Sequence, residues 1–233
     1  MRLINTTTLE LENGFDSKTT RYAILSHTWS DHEVSLQAYR QPLTRSGAGY
    51  QKIVECCRLA SAAGINHAWI DTCCIDKTNS VELTEAIQSM FTWYEDAVVC
   101  YAFLDDILST RHPRLVTDVE LRTCKWFYRG WTLQELLAPH TLYFFDQEFQ
   151  PIGSRQDLAV AIASVTTVPK QYLLKRKPLR EACIAQRLSW VAKRETTRPE
   201  DIAYCLFGIF NVNMPLYYGE GGKKHSCAYK SRS

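Results

Sequence analysis

The sequence predicts an α/β fold: a parallel sheet over residues 20–150 with helices on both faces, followed by a helical segment over 151–222. Apolar runs of strand length alternate with helix-length stretches, four of the first separated by three of the second, which is the pattern of a parallel sheet built from βαβ units. The runs are continuously apolar rather than alternating, as burial on both faces demands. After residue 150 short helical periodicities replace the strands.

Tyr22, Ala23, Ile24 and Leu25 form the first apolar run, which ends in Ser26 and His27. Residues 30–49 are polar, contain Pro42, Gly47 and Gly49, and read as a loop with room for a short helix inside it. Residues 50–63 are rich in Ala, Leu and Ile without breakers and read as a helix, with Gly64 at its C-cap. His67, Ala68, Trp69 and Ile70 give the second strand, ending in Asp71, and residues 72–80 read as a loop. Asn79 or Ser80 can cap the next helix, with Glu82 three residues after Asn79, the spacing of a capping box. That helix lines up Leu83, Ile87, Met90, Phe91 and Tyr94 on one face. Residues 97–104 are the third strand, closed by Asp105 and Asp106, and residues 107–118 read as a surface loop broken by Pro113. Residues 124–137 predict a third helix, with Gly130 as a weak point, and Thr141 to Phe145 a fourth strand ending in Asp146. Residues 154–164, 181–193 and 200–210 predict the helices of the C-terminal segment.

Composition narrows the function. Hydrophobic residues make up 45% and charged residues 22%, which suits a packed core rather than disorder. A net charge of +2 argues against a dedicated nucleic-acid binder. The basic stretch over 170–180 reads as solvated surface, and the polar, basic residues 223–233 as a disordered tail. The longest apolar run, residues 97–104, is far short of the roughly twenty that span a membrane, and the N-terminus lacks a signal-peptide apolar region, so a soluble cytoplasmic protein is expected. The nine cysteines form no C-x-x-C and no zinc spacing, so reduced, mostly buried thiols are expected and no metal.

In an open parallel sheet, ligands bind beyond the carboxyl ends of the strands. Ser26 and His27, Asp71, Asp105 and Asp106, and Asp146 occupy those ends. Glu135 is a carboxylate in an apolar, aromatic helix, the setting of either an ion-pair partner or a working group with a tuned pKa. Serine-hydrolase, P-loop and Rossmann signatures are missing from the sequence. A Cys73 or Cys74 thiol acting with His27 is the remaining nucleophile option.

Several blocks together carry a resemblance. They are Ser26-His27-Thr28-Trp29, Trp69-Ile70-Asp71-Thr72-Cys73-Cys74, Trp126-Phe127-Tyr128-Arg129-Gly130-Trp131-Thr132-Leu133-Gln134-Glu135-Leu136, Thr197-Arg198-Pro199-Glu200-Asp201, and Met214-Pro215-Leu216-Tyr217-Tyr218-Gly219. Over residues 1–222 the chain resembles the HET (heterokaryon incompatibility) domain of filamentous fungi. After Gly221 the polar residues depart from the further helix of that family. The resemblance implies a fungal cell-death effector of allorecognition, often joined to a nucleotide-binding switch and a repeat sensor. HET domains are more remotely similar to TIR domains, which implies a TIR-like, flavodoxin-like parallel sheet, self-assembly, and hydrolysis of NAD+ as a substrate rather than a bound cofactor.

On that reading Glu135 is the catalytic candidate, in the stretch that matches the TIR motif with Thr132 in place of its Cys. Ser26, His27, Trp29, Asp71 and Trp131 are the candidates for binding the dinucleotide. Arg129, six residues before Glu135 on one helix, falls on its opposite side and is set aside. A non-enzymatic adaptor acting by self-assembly is the competing reading, and a nucleotide transferase or cyclase a third.

Overall fold

The structure is a computed structural model that describes residues 1–41, 43, 45–108 and 118–219. It is organised by one seven-stranded sheet in the order β2-β1-β4-β3-β5-β6-β7. The strands are β1 (Arg2–Asn5), β2 (Leu11–Asn13), β3 (Ala23–His27), β4 (His67–Trp69), β5 (Val99–Phe103), β6 (Leu142–Phe145) and β7 (Pro151–Ser154). The middle four, β4-β3-β5-β6, are parallel, and they are the four strands expected from sequence. Strands β3 and β5 are buried along their whole length, which accounts for their unbroken apolar runs.

Three antiparallel strands extend this core: β1 and β2 beyond β4, and β7 beyond β6. The sheet is therefore mixed and runs from residue 2 to residue 154, wider than the parallel sheet expected over residues 20–150.

The chain steps from β3 to β4 in one direction, then back across β3 to β5. Parallel crossovers are right-handed, so this reversal sends the two connecting helices to opposite faces. The first is α2 (Gly47–Ala62), after the short α1 (Leu36–Tyr39), and it packs on β3 and β4. The second is α4 (Ser80–Asp96), which packs against α6 (Thr132–Leu137) on the other face. The same reversal puts the topological switch point between β3 and β5, at the carboxyl ends of the parallel strands.

Several expectations need correction. Residues 72–80 are not all loop, because Asp71 opens a single helical turn, α3 (Asp71–Cys74). Helix α2 begins at Gly47, three residues early, because Gly47 takes a positive φ just inside the turn and Gly49 lets His32 pass where no side chain fits. The capping box at α4 is half formed. The Asn79 side chain accepts from Val81 and Glu82 N–H, but Glu82 turns outward, accepts from Asp76 N and pairs with Arg2 at 2.5 Å. The helix expected over 124–137 is two pieces, a 3₁₀ turn over Lys125–Tyr128 and then α6.

In the C-terminal segment the helices are shorter than expected. They are α7 (Ala159–Thr166), α8 (Lys170–Leu173), α9 (Ile184–Ser189), α10 (Asp201–Tyr204) and α11 (Phe207–Phe210), after a short α5 (Asp118–Thr123). The basic stretch 170–180 is only partly solvated: Tyr172 and Leu173 are buried, and Lys175 Nζ donates to Ala138 O at 2.6 Å. Pro113 and residues 223–233 lie outside the described residues, as does Cys227. Of the eight described cysteines, seven are buried and Cys183 is exposed, all as free thiols. No described helix is long and apolar enough to cross a membrane.

Candidate active site

A cavity of about 300 Å³ opens at the carboxyl ends of β3 and β4. Its walls are the loops after those strands, one face of α4, the start of α6 and the segment 197–218.

The α6 wall is set by a break in the chain. A Cβ on Gly130 would sit 2.4 Å from the Thr196 methyl, so only glycine fits there. Gly130 N–H donates to Glu195 O at 2.8 Å, and Glu195 N–H donates to Tyr128 O. Held this way, the chain cannot continue the 3₁₀ turn and restarts as α6. The Thr132 hydroxyl donates to Trp126 O and accepts from the buried Arg194, whose guanidinium also donates to Arg129 O at 2.7 Å. The restart aims Glu135 inward and lets Arg129 line the same cavity. The exclusion of Arg129 assumed one continuous helix, and the break removes that assumption.

Glu135 is 6% exposed and has no salt-bridge partner among the described residues. Ser26, on β3, donates its hydroxyl to Glu135 Oε2 at 2.5 Å and accepts from Trp126 Nε1 at 2.8 Å. Burial raises the Glu135 carboxyl, the Ser26 bond lowers it, nearby Asp71 raises it, and it stands at about 7. A carboxyl there exchanges its proton at neutral pH.

The β3–β4 wall is ionic instead. Asp71 Oδ2 accepts from Trp29 Nε1 at 2.8 Å, and Asp71 Oδ1 lies 3.1 Å from His27 Nε2. Lys52 Nζ, from α2, lies 2.9 Å from His27 Nδ1 and 2.5 Å from Glu33 Oε1. Lys77 Nζ sits 3.4 Å over the Trp29 ring. Burial would raise the Asp71 carboxyl, but Lys77, His27 and Trp29 overcome it and hold the group below the usual carboxylate range. Burial and Lys52 push the His27 ring down, while the bonds to Asp71 and Glu33 push it up and prevail. In the neutral ring Nδ1 accepts from Lys52 and Nε2–H donates to Asp71; in the protonated ring Nδ1–H turns to Glu33, 3.6 Å away.

The third wall comes from 197–218. Trp131 Nε1 donates to Asp201 Oδ2 at 3.3 Å, Tyr218 OH donates to Asp201 Oδ1 at 3.0 Å, and Arg198 lies 4.6 Å from the centre of the Tyr218 ring.

These contacts bring together Glu135 and the five residues expected to bind the dinucleotide. His27, Trp29, Asp71, Trp131 and Glu135 line the cavity, and Ser26 lies directly behind Glu135. The other strand-end acids are elsewhere. Asp105 accepts from Thr28, Asp106 from Lys125 N–H, and Asp146 from the N–H groups of Glu148 and Gln150 in its own turn. The Cys73 thiol, buried and driven up by desolvation, donates weakly to Ile70 O and does not suit a nucleophile. Among the described residues no three His, Cys, Asp or Glu side chains are grouped to hold a metal.

Comparison with known proteins relates the sequence to a family. Residues 22–117 match the model of the heterokaryon incompatibility protein (HET) family. Over 209 residues the chain is 47% identical to the vegetative incompatibility protein HET-E-1 of Podospora anserina. The chain carries a HET domain. The match takes in 87% of this chain but only 15% of that relative, so the chain spans a small part of the longer protein. No solved structure matches it significantly.

Sequence reasoning set Arg129 aside and did not propose Lys77, Arg198, Asp201 or Tyr218 for the cavity of this HET domain. It also missed Lys52 and Glu33 behind His27. A signal for Lys52 exists: it falls on the same helical face as Ile53, Cys56, Cys57 and Ala60, all buried, and a lysine in an apolar stripe needs a partner.

Proposed function

We propose that this HET domain is the effector part of a fungal incompatibility protein and that its cavity hydrolyses NAD+ between nicotinamide and ribose. The observation that carries the reading is Glu135: a desolvated carboxylate without a cation bound to it, poised at about 7 and facing a cavity with aromatic and cationic walls. The C1′–N bond breaks with its electron pair going to nicotinamide, which leaves neutral. The ribose becomes oxocarbenium-like, and ionised Glu135 stabilises that charge. Water then attacks C1′ and gives up a proton to the carboxylate, yielding ADP-ribose.

The side chains around Glu135 suit the rest of the substrate. Trp29, Trp131 and Tyr218 offer ring faces, and Lys77, Arg129 and Arg198 offer positive charge for a pyrophosphate. The parallel order of β4-β3-β5-β6 agrees with a TIR-like, flavodoxin-like core. A cavity of about 300 Å³ is at the small end for ligand sites and suits half a dinucleotide. The other half then crosses to a second copy, so activity depends on homo-oligomers, clustered in turn by a switch and sensor in the same or a partner chain.

The test is to incubate the purified domain, free and artificially clustered, with NAD+ and follow nicotinamide. Release that climbs more steeply than protein concentration is expected. No nicotinamide from the clustered domain would end the enzyme reading and leave a self-assembling adaptor.

A further inference from the structure

A second and larger cleft, of about 660 Å³, lies on the far side of α4. The Glu135 cavity uses Ile87, Met90 and Tyr94 of that helix, whereas the second cleft uses Gln88, Phe91, Thr92 and Glu95. Its other wall is the C-terminal segment from α8 to α11.

The cleft's charge is one-sided. Lys175, Lys177, Arg180 and Arg187 line it, and among the described residues Glu95 is the one carboxylate that does. Glu181 stands nearby, 3.7 Å from Lys177. Lys175 spends one proton on Ala138 O, and burial lowers its ammonium to about 8. Arg187 donates Nη1 to Ile209 O at 3.0 Å and stacks 4.5 Å from the centre of the Phe210 ring, while its Nε is buried without a hydrogen-bond partner. Lys175 and Arg187 are half-buried and Lys177 and Arg180 are exposed, so the cleft gathers four cations whose mutual repulsion a bound anion would offset. The apolar floor is aromatic: Phe91, Tyr172, Phe207 and Phe210.

Positive charge beside flat rings, in a cleft large enough for a small molecule, defines a ligand with an anionic and a planar part. We infer that this cleft is a second binding site, for a nucleoside phosphate, with the phosphates on Lys177, Arg180 and Arg187 and the base against the aromatic floor. The inference is independent of NAD+ hydrolysis and stands or falls by binding alone.

ADP is the probe, with inorganic pyrophosphate beside it, titrated calorimetrically into the whole chain. Saturable ADP binding that weakens with added salt is expected. The double variant Lys177→Glu/Arg180→Glu changes two exposed side chains and is expected to weaken ADP binding roughly tenfold or more, as loss of charge-assisted contacts does. Arg129→Glu reverses charge in the first cavity and is expected to leave this binding in place. Absence of saturable ADP binding would overturn the inference. So would binding that survives the double variant and disappears with Arg129→Glu, or pyrophosphate binding as tight as ADP.

Discussion

Glu135 and Asp71 face one cavity from different walls, and their surroundings push them in opposite directions. Glu135 is bound by a neutral hydroxyl and lies in an aromatic pocket, so desolvation dominates and its carboxyl rises to about 7. Asp71 is also largely removed from water, with 17% of its side chain exposed, and it has Lys77, His27 and an indole N–H around it and stays ionised. The lesson is that burial alone does not set a carboxylate's behaviour; the charge of the groups that satisfy it does. Two acids separated in this way can divide labour, one exchanging a proton and the other holding fixed charge.

The comparison is broken most severely by Glu135→Gln. Turnover of NAD+ by the clustered domain is expected to fall ~10²-fold or more, as when one preorganised electrostatic group is lost. Stability should move the other way. A carboxyl whose folded pKa exceeds its unfolded one contributes stability that is present below about 4.5 and is lost as pH climbs to about 7. The loss is on the order of 3 kcal/mol. The glutamine variant lacks that slope, so thermal melts at pH 5 and pH 8 should differ less for it than for the wild type. Unchanged nicotinamide release by the variant would move the catalytic assignment to Asp71.

Asp71→Asn is the next effect in size. Its folded pKa is depressed, so its contribution is present above the unfolded value near 3.8 and lost as pH falls through the folded one. Removing the charge leaves Lys77 and His27 short of an anion and should cost about 3 kcal/mol at pH 7. The cost should shrink in acid, which denaturant melts at pH 7 and pH 3 would show. A constant cost at both pH values would mean that shape, not charge, is what Asp71 supplies.

Gly130→Ala tests the wall itself. The added methyl meets Thr196 at 2.4 Å and should destabilise by about 1–3 kcal/mol, as overpacking does. Because Glu195 and Arg129 move with it, nicotinamide release should fall further than the loss of folded protein explains. A loss of activity that tracks the folded fraction would separate the break at Gly130 from the cavity.

Much of the parallel core was legible because two-sided burial writes itself as apolar runs, as in Val99–Phe103. The edge strands were not. Leu11–Asn13 is three residues with a central glutamate, and Pro151–Ser154 contains a proline and a glycine that read as a turn. Strand pairing at an edge depends on a neighbour, not on local pattern. In the cavity, Ser26, His27, Trp29 and Asp71 were legible because they follow strands. Arg198 and Tyr218 were not, because only tertiary packing brings 197–218 over residues far earlier in the chain.

That last wall has a consequence for timing. Tyr128, Arg129 and Gly130 are fixed by Glu195, and Asp201 and Tyr218 close what β3 and β4 begin. A ribosome that has emitted the whole sheet has made Glu135 but not the residues that enclose it. The sheet is complete in sequence by Ser154, whereas residues that close the cavity lie in the segment 195–218. The pocket therefore cannot close until a segment that follows the whole described sheet in the chain has been made and packed back onto it.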